Sequence, residues 1–381
     1  MGIHDFPLID VDAHYTEPPD LWLSRAPAAL RDVAPRVVKT PEGNDTWIVG
    51  RDTPLSPPGF CVIRTDGSKA IGSFSVHRFD EMIAAASDPA ARVRVMQELG
   101  ISRQVLYPNV LGFAGAALMR IEDAALRDFC ITAYNDGVAD VQRASGGRLL
   151  PQAMLPFWDV RASARELERC HEQLGLTGFT MMDAPEAWGM PSLADSAWDP
   201  LWSTAQERRL PVNFHIGSSG VSATAVWPGI EMPRQLAAGS TVMFIANARC
   251  IVNLIFSGLL DRFPSLNFVS VESGVGWLPF AIEAAEYQVD ENGVDLALRP
   301  SEYFRRQIYA SFWFEQRDLA ACAKRLGTDN VMVETDFPHP TCLYPGPRKK
   351  LEEAVASLSE ADQRKIFYGN AARVYGVDPN P

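Results

Sequence analysis

From about residue 100 onward, short apolar runs alternate with longer segments of helical periodicity, and this alternation constrains the fold more than any other feature. It is the pattern of repeated strand–helix units and a parallel sheet. An apolar run near the N-terminus supplies an eighth strand, and eight parallel strands predict a closed barrel. The predicted strands are 7–13, 102–107, 149–155, 178–182, 211–216, 267–272, 307–312 and 331–335. The predicted helices are 122–144, 161–174, 197–209, 246–263, 277–288 and 319–326.

The proline-rich segment 15–100 interrupts this rhythm, and we interpret it as an insertion after the first strand. Within it the sequence predicts two short β pieces at 46–49 and 60–64, followed by a helix at 88–99. Two further helices, at 347–358 and 360–375, complete the chain. The sequence therefore predicts an α/β protein with a single barrel domain over 1–381, an insertion at about 15–100 and C-terminal helices at about 347–375.

Composition and charge exclude several classes of protein. With 47% apolar residues the chain can bury a large core, which excludes disorder, and a net charge of −12 disfavours binding to nucleic acids or anionic membranes. The longest strongly apolar run, 251–260, is shorter than the roughly 20 residues of a spanning helix. The six cysteines show no CxxC spacing and the N-terminal residues do not resemble a signal peptide, so we expect a cytoplasmic protein with reduced thiols.

Ionisable side chains end four of the predicted barrel strands. The first strand ends with Asp12 and His14, the fifth with His215, the sixth with Glu272 and the eighth with Asp336. The carboxyl ends of barrel strands carry the reactive groups of barrel enzymes, and alternation places residues 12 and 14 on one face. The two imidazoles and two of the three carboxylates there predict a site for a divalent cation such as zinc. The alternative is that both histidines are core residues hydrogen-bonded to carbonyls.

Five segments carry a family resemblance: DVDAHYTEPPDLW, LWSTAQERRLPVNFHIGSSG, NLIFSGLLDRFPSLNFVSVESGVGWLPF, SEYFRRQIYASFWFEQ and VMVETDFPHPTCLYP. Together they resemble the amidohydrolase-2 branch of the metal-dependent amidohydrolase superfamily, which includes aminocarboxymuconate-semialdehyde decarboxylase and γ-resorcylate decarboxylase. The match extends through nearly the whole chain. It implies a distorted (β/α)8 TIM barrel of the metal-dependent hydrolase type with one catalytic divalent metal ion.

The resemblance also assigns roles to residues. By position, Asp12 and His14 match the first-strand metal ligands and His215 matches the fifth-strand ligand. Asp336 matches the eighth-strand aspartate, which both contacts the metal and moves protons. Many superfamily members bridge two metals with a carboxylated lysine on the fourth strand, but all six lysines here fall outside the predicted barrel strands. We therefore expect one metal ion, with zinc as the expected ion and manganese or iron as alternatives.

Glu272 is a departure from the family pattern, because related decarboxylases have a histidine at the end of the sixth strand. A carboxylate there can still carry a proton if burial and proximity to Asp336 raise its pKa. Glu272 is therefore a candidate catalytic residue beside Asp336. The alternative is a structural role, in which it accepts hydrogen bonds from the loop 274–277 or pairs with an arginine.

The function expected from these residues and the resemblance is non-oxidative decarboxylation of a small aromatic or unsaturated carboxylate. The alternatives are hydrolysis of an amide, ester, lactone or activated C–C bond by activated water, and a catalytically silent ligand-binding barrel. We expect a homodimer, as relatives often form, with a small molecule as substrate. The candidate substrate contacts are His77 and Arg78 in the insertion, and Trp227, Trp313 and His339 near strand ends.

Overall fold

The computed structural model describes residues 3–220 and 227–380. Its strands are β1 (Ile9–His14), β2 (Arg36–Lys39), β3 (Asp45–Val49), β4 (Thr53–Ser56), β5 (Arg103–Tyr107), β6 (Leu149–Pro151), β7 (Phe179–Thr180), β8 (Val212–His215), β9 (Phe268–Val271), β10 (Ile308–Phe312) and β11 (Val331–Val333). Its helices are α1 (Pro89–Leu99), α2 (Ala124–Ala144), α3 (Val160–Glu172), α4 (Asp199–Glu207), α5 (Met232–Met243), α6 (Asn247–Phe256), α7 (Leu259–Arg262), α8 (Leu278–Asn292), α9 (Pro300–Gln307), α10 (Leu319–Leu326), α11 (Pro347–Val355), α12 (Glu360–Arg364) and α13 (Asn370–Tyr375).

The eight predicted barrel strands form two parallel sheets that close on each other. One sheet has the order β1–β5–β6 and the other the order β11–β10–β9–β8–β7. Parallel bridges join Ala13 to Phe337 and Ala153 to Phe179, which connect the sheets at both edges. The predicted eight-stranded parallel barrel is therefore confirmed. The barrel is distorted because some of its strands are short, and β7 has only two residues.

Apolar side chains fill the interior of the barrel and pack against the last helix, α13. The Tyr375 hydroxyl of α13 donates a hydrogen bond to Asn213 Oδ1 of β8 at 2.7 Å, so α13 covers one end of the barrel. The polar strand ends lie at the opposite, carboxyl end. The interior layer consists of Ile9, Val11, Val105, Tyr107, Leu150, Val269, Val271, Tyr309 and Met332, in contact with Ala371, Val374 and Tyr375.

A register shift in β1 determines which of its side chains reach this carboxyl end. Ile9 and Val11 belong to the interior layer, whereas Ala13 belongs to the layer between strands and helices. The pairing of β1 with β5 shifts between Asp10 and Ala13, as in a β-bulge. Strict alternation is therefore interrupted within β1.

The insertion differs from its prediction in its strands. It forms an antiparallel sheet in the order β2–β3–β4, of which only β3 was predicted. The predicted β piece 60–64 was wrong: this segment makes only isolated bridges from Ile63 to Lys69 and from Arg64 to Met82. Its apolar side chains instead pack with Phe337 and Cys342 beyond β11, so the insertion is attached beside the carboxyl end of the barrel.

Several helices are shorter than predicted. The predicted helix 246–263 divides into α6 and α7 at Gly258, whose φ of 73° is left-handed. The predicted helix 360–375 divides into α12 and α13 around one π-helical segment, Lys365–Gly369. Helix α5 was not predicted at all, and none of its residues is buried.

The stretch Met232–Phe256, which contains α5 and α6, has the length and apolar composition of a membrane-spanning helix. The expectation of no spanning segment considered only the run 251–260 and missed this longer stretch. Length and composition also select core helices of soluble proteins, and 28% of its most apolar window is buried. In α6 the buried side chains include Cys250, Ile251 and Leu254, which belong to the main core.

Candidate metal centre

The two strand-end histidines, His14 of β1 and His215 of β8, meet at the carboxyl end of the barrel. Both side chains are fully buried, and their Nε2 atoms lie 3.1 Å apart. His215 Nδ1 lies 2.9 Å from the carbonyl of Ile216, which fixes the proton on Nδ1 and leaves the Nε2 lone pair facing His14. Two imidazole nitrogens at this separation can bind one ion through bonds of about 2.1 Å.

Burial keeps both rings uncharged. It lowers the pKa of His215 to about 4. It also lowers the pKa of His14 well below its ordinary value, and the neighbouring His339 and His215 lower it further. Neutral imidazole is the form that binds a metal ion.

Two aspartates beside the histidine pair have carboxylate oxygens that accept no hydrogen bond within 3–220 and 227–380. Asp12 Oδ1 lies 3.6 Å from His14 Nε2 and 3.7 Å from His215 Nε2, and Asp336 Oδ1 lies 3.6 Å from His14 Nε2. Among the residues that the structure describes, nothing donates a hydrogen bond to either oxygen of Asp12 or to Oδ1 of Asp336. Buried carboxylates without partners are costly unless a cation is present, so this donor set fits a divalent metal ion.

Glu272 joins the same cluster at the end of β9. Its Oε2 lies 3.2 Å from His215 Nε2, and Asp12, His14, His215 and Glu272 each offer one ligand atom within 4.8 Å of the others. The predicted structural alternative fails, because Val275 and Gly276 donate to Glu315 rather than to Glu272. No arginine in 3–220 or 227–380 forms an ion pair with it.

Both candidate proton carriers have left-handed backbone conformations, with φ of 54° at Glu272 and 58° at Asp336. This conformation is uncommon for residues other than glycine and is concentrated at functional sites. Val269 and Val271 lie in the interior layer, so alternation alone would direct Glu272 away from it. The left-handed backbone at Glu272 interrupts the alternation and accounts for the contact with His215.

Burial also raises the pKa of both carboxyl groups. The pKa of Asp336 rises to about 8, and that of Glu272 rises well above its ordinary value through burial and then through the charges of Asp336 and Glu334. The same causes act on Asp12, where burial is followed by repulsion from Glu334 and Asp336. Several carboxylates this close cannot all ionise without a cation.

A hydroxyl group connects the two candidate proton carriers. Thr341 Oγ1 donates to Asp336 Oδ2 at 2.5 Å and lies 3.4 Å from Glu272 Oε1. Thr341 was not among the predicted site residues, and it comes from the loop beyond β11. The hydroxyl occupies Oδ2 of Asp336 and leaves Oδ1 directed toward the histidines.

His339, a predicted substrate contact, stacks on the ring of His14 with centroids 3.4 Å apart. Its Nε2 lies 2.8 Å from Asn109 Oδ1, and its Nδ1 lies 3.4 Å from Asp336 Oδ1. The Asn109 backbone in turn donates to buried Glu17 at 2.9 Å. The structure therefore brings His339 into the metal-ligand cluster, beside His14 and Asp336.

Arg92 and Glu334 are two buried ionisable residues near the site that were not predicted. Arg92 of α1 donates to the carbonyls of His14 and Ala85 and to Gln104, which ties the insertion to β1 and β5. Glu334 accepts hydrogen bonds from Ser311 and from the backbone of Glu272. Arg92 lies outside the segments that carry the resemblance, and Glu334 lies within one of them, but the partners of both residues are distant in the chain and gave no local signal.

The remaining predicted substrate contacts lie elsewhere. His77 is exposed, Arg78 pairs with Asp80 and Glu81 on the surface of the insertion, and Trp227 is 81% exposed. Trp313 is buried.

The pocket next to Thr341 is formed by other residues. The insertion reaches it through 72–74, and Phe244, which packs edge-on against Trp313 with centroids 4.9 Å apart, lines it as well. This pocket is not lined by His77, Arg78, Trp227 or Trp313, whose contacts with a substrate stay predictions.

Comparisons with known proteins agree with this architecture. A family model described as amidohydrolase matches residues 9–377. A γ-resorcylate decarboxylase from Polaromonas sp. (strain JS666) is 27% identical over 307 residues, covering 75% of this chain and 87% of that protein. An amidohydrolase structure from Mycobacterium avium subsp. paratuberculosis K-10 superposes with a TM-score of 0.76 at 21% identity, covering 98% of this chain and all of that one.

A second solved structure includes a metal ion. It is a dihydroxybenzoic acid decarboxylase from Polaromonas sp. JS666 with bound manganese and the inhibitor 2-nitroresorcinol. It superposes with a TM-score of 0.63 at 20% identity and covers 97% of each chain. At these identities the two solved structures show a common fold.

Proposed function

We propose, from the premise that this chain belongs to the amidohydrolase family of enzymes, that it removes carbon dioxide from a small aromatic or unsaturated carboxylate. The observation that supports this most strongly is the cluster of two buried imidazoles, 3.1 Å apart, with carboxylate oxygens that have no other partner. The similarity to γ-resorcylate decarboxylase indicates that the reaction is a decarboxylation.

The residues that would hold the metal are Asp12, His14 and His215, with Glu272 or Asp336 completing the set. A bound divalent ion would supply Lewis acidity that polarises a substrate oxygen. Zinc was the expected ion, but nitrogen and carboxylate donors also suit manganese, which a structurally similar decarboxylase contains. We propose a single divalent ion whose identity is zinc or manganese, to be decided by metal analysis.

The protein's own carboxyl groups carry the proton that the reaction requires. Asp336 or Glu272 donates it to the substrate carbon that bears the carboxylate, and Thr341 fixes the orientation of the Asp336 side chain. The bond between that carbon and the carboxylate then breaks, carbon dioxide leaves, and the bonding electron pair restores the unsaturated system. The buried site excludes water, which strengthens these interactions.

The decisive experiment measures carbon dioxide and metal together. The manganese-loaded or zinc-loaded protein is incubated with hydroxybenzoates in deuterated water, and carbon dioxide and ring deuteration are measured. We expect one deuterium at the vacated carbon for each carbon dioxide released. Cleavage of an ester or amide of the same acids with incorporation of 18O from labelled water, without carbon dioxide release from the free acids, would instead establish a hydrolase. Metal content below about a tenth of an equivalent after careful purification would favour the silent barrel.

Two variants separate the metal ligands from the proton carrier. We expect His215→Ala to lose metal and turnover together, whereas Asp336→Asn retains most of the metal but loses turnover. Equal metal loss in both variants would contradict the role of Asp336 as the proton carrier.

We also infer a cytoplasmic homodimer. All six cysteines are free thiols, as is typical of a reducing compartment, and two-fold symmetric dimers are the commonest assembly of soluble oligomers. Light scattering on the metal-loaded protein measures the oligomeric state directly.

A further inference from the structure

A groove of about 400 Å³ lies beside the candidate metal centre. The insertion contributes Gly72–Phe74 to it, the unpredicted helix α5 forms a second wall, and Pro340 and Thr341 form a third. Thr341 also donates to Asp336, so the groove begins one hydrogen bond from the candidate proton carrier. Thr341 therefore belongs both to the wall of the groove and to the site described above.

The side of α5 that lines the groove has regular helical spacing. Its lining residues are 233, 236, 237, 240 and 241, followed by Phe244 just beyond the helix. This i, i+3, i+4, i+7 recurrence defines a single helix face. Since none of the residues of α5 is buried, this face has no protein layer packed over it. A ligand in the groove would cover its apolar part.

The groove offers apolar contacts and hydroxyl groups but no charge. Its apolar residues are Phe74, Pro233, Leu236, Ala237, Phe244 and Pro340, and its hydroxyls come from Ser73, Ser240, Thr241 and Thr341. None of the described lining residues is ionisable. Lys69 of the insertion donates to the carbonyl of Cys342 and does not line the groove.

These features discriminate between substrates. A carboxylate placed in the groove would lose hydration without gaining a cationic partner, whereas an alkyl or aryl group would gain from removal of apolar surface from water. The volume also exceeds the roughly 150 Å³ that accommodates a benzene ring. A single substituted ring that reaches the metal centre would thus leave room for a further apolar group.

We propose that the substrate is a monocarboxylate with an uncharged apolar substituent that occupies this groove, and that aromatic dicarboxylates are rejected. This inference rests on the proposed function, because it places the carboxylate at the metal centre. The substituent then extends between α5 and the segment 72–74, and Leu236 is a residue that determines specificity.

The test compares salicylate with its 4- and 5-butyl and its 4- and 5-carboxy derivatives. Calorimetric titration of the manganese-loaded protein gives the dissociation constants without requiring turnover. We expect at least one butyl derivative to bind ten or more times more tightly than salicylate, and both carboxy derivatives to bind ten or more times more weakly.

Two positions on the same helix provide a matched comparison. Leu236→Lys adds a charge inside the groove, whereas Val242→Lys adds the same charge on the opposite, exposed face, where Val242 is 47% exposed. We expect Leu236→Lys to abolish the butyl preference and to tighten binding of a carboxy derivative at least tenfold, with Val242→Lys unchanged. Ser240→Lys serves as a second groove variant if Leu236→Lys unfolds.

The outcomes separate this inference from the proposed function. If salicylate binds but the butyl groups give no gain, or a dicarboxylate binds as tightly as salicylate, the groove assignment is wrong while decarboxylation stands. If the metal binds but none of the five acids does, the proposed function fails for hydroxybenzoates and the groove assignment fails with it. Equal effects of Lys at 236 and 242 would also overturn the groove assignment.

Discussion

Asp10 and Asp12 lie two residues apart on β1 and are equally buried, yet their surroundings differ completely. Asp10 accepts hydrogen bonds from Gln104 Nε2 at 2.8 Å, from the Thr335 backbone at 2.8 Å, from the Thr335 hydroxyl at 2.5 Å and from the Asp12 backbone at 3.2 Å. The carboxylate of Asp12 accepts none from the described part of the chain. The first carboxylate is satisfied by the fold, and the second is not.

The register shift in β1 produces this difference. Alternation alone would direct both aspartates to the same face, but the pairing with β5 shifts between Asp10 and Ala13. Asp10 therefore lies beside Gln104, which contacts Arg92 of helix α1, whereas Asp12 lies beside the two histidines. Hydrogen bonding, rather than burial, distinguishes a structural carboxylate from one that is arranged to bind a cation.

Asp12→Asn removes the carboxylate that is arranged to bind a cation, and we expect it to have the largest effect. We expect turnover to fall more than about 100-fold, because loss of even an indirect metal contact costs 10–100-fold. The metal content should fall with it, as measured by atomic emission on the purified variant. The unfolding free energy of the metal-free protein should not decrease, because a buried charge without a partner is removed. Full metal occupancy in Asp12→Asn would contradict its assignment as a ligand.

Metal removal gives the next largest effect. If the metal binds only the folded protein, a free concentration of 100 times Kd stabilises it by about 2.7 kcal/mol. We expect chelation to lower the Tm of the wild-type protein and manganese or zinc to restore it. This metal-dependent difference in Tm should disappear in Asp12→Asn and persist in Asp10→Asn. A metal-independent Tm in the wild-type protein would argue against an ordered ion at this centre.

Asp10→Asn removes the carboxylate whose hydrogen bonds hold the fold together, and we expect it to lower stability. An amide at this position directs NH2 toward groups that are themselves donors, and the lost charge-assisted bonds correspond to about 2 kcal/mol of unfolding free energy. Chemical denaturation of the metal-free protein measures this loss. Metal affinity per folded molecule should remain within about twofold of wild type, since Asp10 lies outside the ligand cluster.

The barrel could be predicted because its signal is local and repeated. Each strand and helix carries its own periodicity, and the eight strands were all located within a few residues of their observed positions. The meeting of His14 and His215 could be anticipated because carboxyl ends of parallel strands converge on one end of a barrel. Topology thus brought together residues that are about 200 positions apart.

The parts that could not be predicted depend on contacts between distant segments. The shift within β1 and the left-handed backbone at Glu272 arise from pairing and packing that no periodicity records. Strand β4 contains Pro54, which disfavours a strand prediction, and α5 has no buried face to give it a clear apolar stripe. The proposed substrate contacts stay predictions, and sequence patterns did not reveal the groove beside Thr341 because three separate segments form it.

The smallest expected effect comes from removing the Thr341 hydroxyl, which contacts Asp336 in the candidate site. The Thr341 hydroxyl occupies Oδ2 of Asp336, which is the kind of hydrogen bond that Asp12 lacks. Thr341→Val keeps the side-chain shape but removes the donor, and we expect kcat to fall about tenfold, equivalent to ~1.4 kcal/mol. Metal affinity, measured by competition with a chromophoric chelator, should change little because Oδ1 of Asp336 still faces His14. Thr341→Ser restores the hydroxyl and should recover most of kcat, whereas a purely space-filling role would favour valine over serine.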